Sequence, residues 1–440
     1  MALLQHQKDP ATEQTAAGYP EVKGMNTTFR FTQNEKDCLR ELAKEVAHIS
    51  ARPEMAVKAR LWQRHNDLET QEPVVFIDPE NGWNEIIPAS TLKCEDPLAR
   101  VWEMYLRKQI FWANHMKDDK VIEAVFDVPY SYSDTGWGLS IKKIGGEHNG
   151  SYIVKQAIED YERDFPKIHY PEIVMDWGES ARLLELGHEI FDNILIVRQK
   201  ATWWWTLGLC WDYVNLRGLE DFMCDFIEEP EWMERLFTLL TDGTLKKLDF
   251  LEENGLLPDN TGDTYVGSGG FGFTNQLNRA GRAPDNITTM DMWGFVDSQE
   301  TVSINPADYY AIVFPHHKKI LDRFGMNCYG CCEPYNPRWK YVKQLPRLRR
   351  VSCSPWADWS TIPEFLGKNY IASVKPSPTP LASAIMDEDD VRADCRRAAT
   401  QSFGGVCEFI MKDNHTLGKK PANATRWVEI MREEISHVYD

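Results

Sequence analysis

Short apolar runs alternate with longer helical patterns along most of the chain. Leu39, Leu42, Ala43 and Val46 recur at helical spacing and predict an amphipathic helix. The apolar run at 74–77 then predicts a first buried strand, followed by a polar turn. From residue 193 onward, β-branched runs alternate with helical patterns of about 12 to 20 residues, which is typical of parallel βα units.

Eight segments fit the pattern of a buried strand. They are residues 74–77, 121–126, 194–197, 289–292, 326–328, 350–353, 370–374 and 406–411. Helix starts are marked by Asn305 before Pro306 and by the acidic run that begins at Asp387. Eight strands with helical crossovers predict an α/β protein, a (β/α)₈ TIM barrel with an N-terminal helical extension, as a single domain over 31–440. In that fold the chemistry belongs at the carboxyl ends of the strands.

Residues 1–30 carry scattered polar residues and no sustained apolar period, so they predict a mobile leader. The N-terminus also lacks the basic and then apolar regions of a secretory signal. Ten cysteines in 440 residues, most of them isolated in apolar runs, suit reduced thiols better than a disulfide framework. These features predict a cytoplasmic protein.

Composition narrows the class further. A hydrophobic fraction of 42% with 16 tryptophans excludes a disordered or fibrous chain. The longest apolar runs stop far short of the roughly 18 residues that cross a bilayer, so no membrane partner is expected. A net charge of −18 repels a phosphate backbone, so nucleic acid is not an expected partner.

The segment 327–334 brings three thiols, a glycine and a carboxylate directly after a predicted strand. Thiolates are good zinc ligands, and the strand end would direct Cys331 and Cys332 toward the barrel mouth. Two other interpretations stay open. The cysteines could pack small volumes as reduced thiols, or the Cys328–Cys331 spacing could form a redox pair.

The last predicted strand also ends in ionisable groups, and His415 is among them. Cys331, Cys332 and His415 would form a three-ligand zinc site with an open fourth position, as catalytic zinc requires. Taken alone, His415 is more often a surface-loop histidine or one whose hydrogen bonds are already satisfied.

A third strand end carries Asp297, Gln299 and Glu300. Burial would raise the pKa of Asp297 or Glu300 and suit either to a general-acid role near neutral pH. The alternative is a solvated acidic loop before the helix that Asn305 caps.

Aromatic residues concentrate at Trp203, Trp204 and Trp205, and most of these rings must serve packing because adjacent residues cannot all face one pocket. The glycine-rich run 267–272 lacks the Lys-Ser/Thr of a P-loop and predicts a flexible strand-end loop close to substrate. Tyr265, just before it, is a candidate substrate contact.

From about residue 185 to the C-terminus, with weaker similarity at 72–90, the chain resembles the uroporphyrinogen decarboxylase superfamily, which includes zinc-containing methyltransferases that work with corrinoid proteins. The resemblance rests on the run from Asp297 through the Phe314-Pro315 helix, on 326–333, and on the last strand with its Asn414-His415 turn. It implies a (β/α)₈ barrel, in agreement with the strand count.

The chain departs from that family at two places. The decarboxylases carry an arginine in the loop after the first strand, whereas the loop here begins Asp78-Pro79-Glu80, and carboxylates there would repel a tetrapyrrole. The methyltransferases bind zinc through a His-x-Cys pair and a distant cysteine. Here Tyr329 takes the histidine position, Cys331 matches the cysteine, and the distant position falls at or beside Asn414-His415.

The resemblance implies a methyltransferase that demethylates a small methylated donor, and the local Trp and Tyr residues favour an aromatic methyl ether as that donor. Zinc or a carboxylic acid would activate the leaving oxygen, and a Co(I) corrinoid (cobalamin) on a partner protein would accept the methyl group. The candidate acids are Glu333, Asp297 and Glu300. The candidate donor-binding residues are Asp78, Asn81, Trp83, Tyr265 and Gln299.

Two other functions stay open. A cofactor-free decarboxylase or lyase would need a cation beside the bound carboxylate, which Lys375 or Lys412 could supply. A barrel that only binds a ligand or stores a metal is the third. A homodimer is compatible with the sequence, which does not set the oligomeric state.

Overall fold

The computed structural model describes residues 30–145, 152–277 and 287–439. The predicted leader therefore lies outside the described residues except for Arg30. None of the helices in these ranges combines the length and the apolar character that a membrane-spanning segment needs. All ten cysteines are free thiols, as predicted.

Parallel strands organise the described part of the chain. Its strands are β1 (Val74–Ile77), β2 (Val125–Val128), β3 (Tyr132–Asp134), β4 (Lys142–Gly145), β5 (Tyr152–Lys155), β6 (Ile173–Met175), β7 (Ile196–Gln199), β8 (Trp293–Val296), β9 (Met326–Tyr329), β10 (Leu348–Cys353), β11 (Ile371–Val374) and β12 (Val406–Met411). Six of them form one sheet in the order β1-β12-β11-β10-β9-β8, with every pair parallel. β2 and β7 form a parallel pair, and β3–β6 and β4–β5 are antiparallel pairs.

Helices connect the parallel strands and extend the fold at its N-terminal side. They are α1 (Gln33–Ser50), α2 (Pro53–Asn66), α3 (Trp83–Ile86), α4 (Pro97–Phe111), α5 (Tyr161–Asp164), α6 (Trp177–Phe191), α7 (Leu209–Arg217), α8 (Leu219–Glu228), α9 (Pro230–Glu253), α10 (Pro306–Ile312), α11 (Phe314–Leu321), α12 (Trp339–Val342), α13 (Ile362–Phe365), α14 (Glu388–Ser402) and α15 (Ala422–Tyr439). The predicted amphipathic helix is α1, which begins at a capping box between Thr32 and Glu35. Asn305 and Asp387 cap α10 and α14, as predicted.

Three of the eight predicted strands need correction. Residues 289–292 do not form a strand, because Thr288 and Asp291 close a capping box that holds Thr289–Asp291 in a 3₁₀ turn, and β8 follows it. β2 begins four residues later than predicted. The side chains of Asp118 and Asp119 accept hydrogen bonds from the Ile77 and Val75 amides of β1, so this stretch lies beside β1 before β2 starts. β7 begins two residues later than predicted.

The eight parallel strands thus lie in two hydrogen-bonded groups. At the outer edge of β8, the Asn260 side chain bonds to both backbone groups of Trp293, and the Leu207 amide donates to the Phe295 carbonyl. Such contacts satisfy edge groups that a neighbouring strand would otherwise pair. The fold is a parallel α/β fold compatible with the predicted barrel, and the strand pairing described here does not itself close one.

The glycine-rich run is packed inside the fold, which corrects the prediction of a flexible loop. Ser268 is only 3% exposed, and Gly267 and Gly270 adopt positive φ values. A Cβ at Gly270 would meet the Glu408 and Arg350 side chains, so only glycine lets the backbone approach them. The run therefore fills the inner face of the sheet.

A buried ion pair lies beneath this run. Arg350 Nε is 3.0 Å from Glu408 Oε1, and the His65 ring lies 3.5 Å from Oε2. Burial opposes the charge on Glu408, but the Arg350 guanidinium together with His65 and Ser373 outweighs that effect and lowers the pKa of Glu408 to about 2. Arg350 also donates to Asn66 at the end of α2. The pair thus ties the inner face of the sheet to the N-terminal extension.

Candidate active site

Chemically active side chains collect at the carboxyl-terminal edge of the parallel sheet, where the loops after the strands begin. This edge is where α/β enzymes place their chemistry. Asp78 follows β1, Asp297 follows β8, Glu333 follows β9, Lys375 follows β11 and Lys412 follows β12.

Three carboxyl groups form a cluster at the ends of β8 and β9. Glu333 is 1% exposed and accepts hydrogen bonds from the Ser298 amide at 2.8 Å and the Cys331 amide at 2.9 Å. Besides burial, the negative charge of Glu333 acts on both Asp297 and Glu300 and raises the pKa of each. β8 and β9 are neighbours in the sheet, so their loops start side by side. The structure therefore brings together all three predicted acids.

Protons are held in this cluster at neutral pH. Burial, reinforced by the charge of Glu333, raises the pKa of Asp297 to about 7. Burial and the charge of Asp297 raise the pKa of Glu300 well above its ordinary value. Asp297 Oδ1 accepts a hydrogen bond from Thr206 at 2.7 Å. Oδ2 is buried and has no hydrogen-bond partner in the described part of the chain, so it is available to a bound molecule.

A buried arginine holds the loop that carries Asp297 and Glu300. Arg338 donates to the hydroxyl of Thr301 at 2.8 Å and to that of Ser298 at 3.1 Å. It also donates to the Thr301 carbonyl and lies over the Tyr309 ring. Sequence reasoning missed this residue, because Arg338 ends a single 3₁₀ turn (Asn336–Arg338) that carries no recognised motif.

A contact with Gly208, which sequence reasoning also missed, helps to fix the position of Asp297. Gly208 lies so close to the Asp297 backbone that a Cβ there would overlap its carbonyl oxygen. The glycine lets the loop after β7 pack against the end of β8, and this packing places Thr206 on the Asp297 carboxyl. The position of Asp297 is thus set by two loops.

Two lysines supply positive charge on adjacent strands. Lys375 and Lys412 are each 4% exposed, and Lys375 Nζ donates to Ser352 Oγ at 2.6 Å. Burial opposes the charge on Lys412, but Asp413 and neighbouring groups outweigh it and raise its pKa well above the ordinary value. Burial and the charge of Lys412 lower the pKa of Lys375. Their proximity favours an anion between them.

The predicted donor-binding residues do not all lie in the same surroundings. Asp78 and Tyr265 lie within the electrostatic reach of Lys412. Gln299 is half-buried in the 3₁₀ turn between Asp297 and Glu300. Asn81 is paired with His415 in neighbouring loops, and its amide nitrogen lies 3.4 Å from the ring Nδ1. Trp83 is 2% exposed and packs edge-on against Phe111 and Trp112, so its side chain contributes to the core.

The three predicted metal ligands do not converge on one point. Cys331 is buried with its sulfur 3.7 Å from that of Cys332, whereas His415 is exposed beside Asn81. Two strands separate β9 from β12, and at a spacing of about 4.8 Å their ends lie on the order of 14 Å apart along the sheet. Among the described residues these three are not a group whose donor atoms all lie within 4.8 Å. Cys331, Cys332 and His415 as placed here therefore do not fit the predicted zinc ion.

An aromatic cavity of about 80 Å³ opens between the loop after β7 and the segment before β8. Its walls include Trp203, Trp204, Trp205, Tyr265 and Phe295. Lys412 Nζ lies 5.9 Å from the centre of the Trp205 ring, so the cavity adjoins the cationic side of the cluster. The three tryptophan rings, which the sequence predicted to serve mainly in core packing, thus also line this cavity.

Comparison with known proteins adds no family assignment. No family model matches the chain, and no curated protein matches its sequence. A solved structure of a methyltransferase from Methanosarcina mazei aligns over 87% of this chain and 98% of its own, with a TM-score of 0.47 and 12% sequence identity. At that level of likeness, neither the family nor the reaction follows from the alignment.

Proposed function

We propose that the protein is a methyltransferase that removes the methyl group of an aromatic methyl ether and passes it to a corrinoid carried by a partner protein. The sequence resemblance supports the methyltransferase class. The observation that carries the chemistry is the carboxyl cluster, in which Asp297 keeps a proton near neutral pH and has one oxygen with no hydrogen-bond partner among the described residues.

A methyl ether is unreactive because its leaving oxyanion is poor, and a positioned acid offsets that charge. In the proposed reaction the donor ring occupies the tryptophan-lined cavity, and the ether oxygen faces Asp297. When bound, a Co(I) corrinoid on the partner protein would act as the methyl acceptor and would contribute the electron pair for a new bond to the methyl carbon. As the C–O bond breaks, the oxygen keeps its electron pair and takes the proton of Asp297. Burial also keeps Glu300 protonated, and Glu300 interacts electrostatically with Asp297, so in this scheme it would replace that proton.

The lysines orient the donor in this scheme. An aromatic methyl ether that bears a carboxylate or a second oxygen would place that group near Lys412 and Lys375. The product phenol leaves after Asp297 regains a proton from Glu300 or water. Zinc has no part in these steps.

The same two lysines favour a second candidate, a cofactor-free decarboxylase. Buried cations on adjacent strands would hold a substrate carboxylate, and the acid cluster would protonate the carbanion left after carbon dioxide departs. The absence of an arginine in the loop after β1 still disfavours a tetrapyrrole as that substrate.

The two candidates are separated by one assay. The purified protein is incubated without oxygen with cob(I)alamin and a panel of methoxybenzoates, and the expected result is methylcobalamin with an equal amount of phenol and no carbon dioxide. Carbon dioxide release without cobalamin would support the decarboxylase instead. If neither product forms with any member of the panel, the proposed function is wrong.

A further inference from the structure

A group of three potential metal ligands lies far along the chain from the acid cluster. The sulfurs of Cys38 and Cys94 and a carboxylate oxygen of Glu103 all lie within 4.8 Å of one another. Cys38 lies on α1, Cys94 lies in the segment before α4, and Glu103 lies on α4. Cys94 and Glu103 are buried, and Cys38 is half-buried. Among the described residues, these are the three potential metal ligands whose donor atoms lie this close to one another.

The carboxylate of Glu103 is already fixed in place. It accepts hydrogen bonds from the amides of Lys93 and Cys94 and from Arg107 Nε at 2.8 Å. Burial opposes its charge, but these donors outweigh that effect and lower the pKa of Glu103. A carboxylate offers about four acceptor positions, and the Cys94 thiol takes the remaining one. Loss of that thiol proton frees the position for a cation.

The thiols are protonated when no cation is present. Burial and the charge of Glu103 raise the pKa of Cys38, and burial with the hydrogen bond to Glu103 raises that of Cys94. A bound divalent cation displaces thiol protons outright. Two protons would leave as two sulfur–metal bonds form. The resulting three negative charges would be balanced by the divalent ion and by Arg107.

We propose that Cys38, Cys94 and Glu103 bind one zinc-like divalent cation that links α1 to α4 and to the segment before it. The donor set is two thiolates and one carboxylate, which is within the ordinary ligand chemistry of zinc. The half-buried Cys38 gives the ion a route from solvent, and a water molecule would complete a tetrahedral shell. This site is structural and does not depend on the proposed methyl transfer.

The test is zinc binding by the full-length protein after treatment with a chelator. The wild type is expected to bind about one equivalent of zinc, to raise its unfolding temperature on binding, and to show a thiolate-to-metal absorption band with cadmium. Cys94→Ser and Cys38→Ser should each lose the binding and the temperature rise. Cys38→Ser changes the more exposed of the two cysteines and therefore disturbs the core less than Cys94→Ser.

Two matched variants locate the ion. Cys224→Ser removes an exposed thiol, and Cys331→Ser removes a thiol of the carboxyl-terminal edge, so both should still bind zinc. If zinc binding is lost in Cys331→Ser and kept in Cys94→Ser and Cys38→Ser, the ion binds at Cys331 on the carboxyl-terminal edge of the sheet. The proposal is then wrong. The proposal is also overturned if the wild type binds no zinc. Failure of the methyl-transfer assay would leave these outcomes unchanged.

Discussion

Replacement of Asp297 by asparagine is expected to lower kcat for demethylation by about 100- to 10,000-fold, the usual range for loss of a general acid. The amide has nearly the same shape as the carboxyl group and accepts the Thr206 hydrogen bond through its oxygen. It cannot deliver a proton to the leaving oxygen. Because the proton is needed as the C–O bond breaks, KM should change little while kcat falls.

The matched control is Glu364→Gln, which makes the same chemical change on an exposed carboxylate in α13. Its kcat should equal that of the wild type. Steady-state kinetics with a methoxybenzoate and cob(I)alamin measure both variants. A kcat for Asp297→Asn within about twofold of the wild type would show that Asp297 is not the acid.

The largest expected effect on stability comes from Arg350→Met. The change removes the cation from the Glu408 carboxylate, whose side chain is fully buried, and leaves an uncompensated charge on the inner face of the sheet. Breaking a buried pair in this way costs about 3–5 kcal/mol in the free energy of unfolding. Urea unfolding followed by circular dichroism would measure the loss.

Two further variants show that the buried charge causes this loss. Arg323→Met breaks an exposed pair with Asp249 and should cost less than about 1 kcal/mol. Adding Glu408→Leu to Arg350→Met removes the unpaired charge, so it should restore part of the lost stability. If Arg350→Met is no less stable than Arg323→Met, the pair does not stabilise the fold as described.

The acid cluster could be anticipated from the sequence because it depends on local order along the chain. Asp297 follows the end of β8 by one residue and Glu333 follows the end of β9 by four, and consecutive strands of a parallel fold are usually neighbours. The predicted strand before Asp297 was placed too early, at 289–292, but the acid still fell after a strand and before the helix that Asn305 caps. Most strands were predicted for the same reason. The error at 289–292 arose because a side-chain cap between Thr288 and Asp291 competes with a strand, and hydrophobic patterning does not register such a cap.

Contacts between distant segments could not be anticipated in the same way. Arg350 and Glu408 lie within segments that were predicted as buried strands, so no sequence pattern marks them as partners. Only the order of the strands in the sheet places them on one face. The predicted zinc site needed β9 and β12 to end close together, and two intervening strands separate them. Cys38, Cys94 and Glu103 carry no motif spacing, so only the packing of α1 against α4 brings them together.

The most direct test of the account is the pH dependence of kcat for demethylation in the wild type and in Asp297→Asn. Because burial and Glu333 raise the pKa of Asp297 to about 7, and because the acid works in its protonated form, wild-type kcat should be level below pH 7. Above that pH it should fall about tenfold per unit. The inflection should vanish in Asp297→Asn. A wild-type kcat that rises through pH 7, or an inflection that persists unchanged in the variant, would contradict proton donation by Asp297.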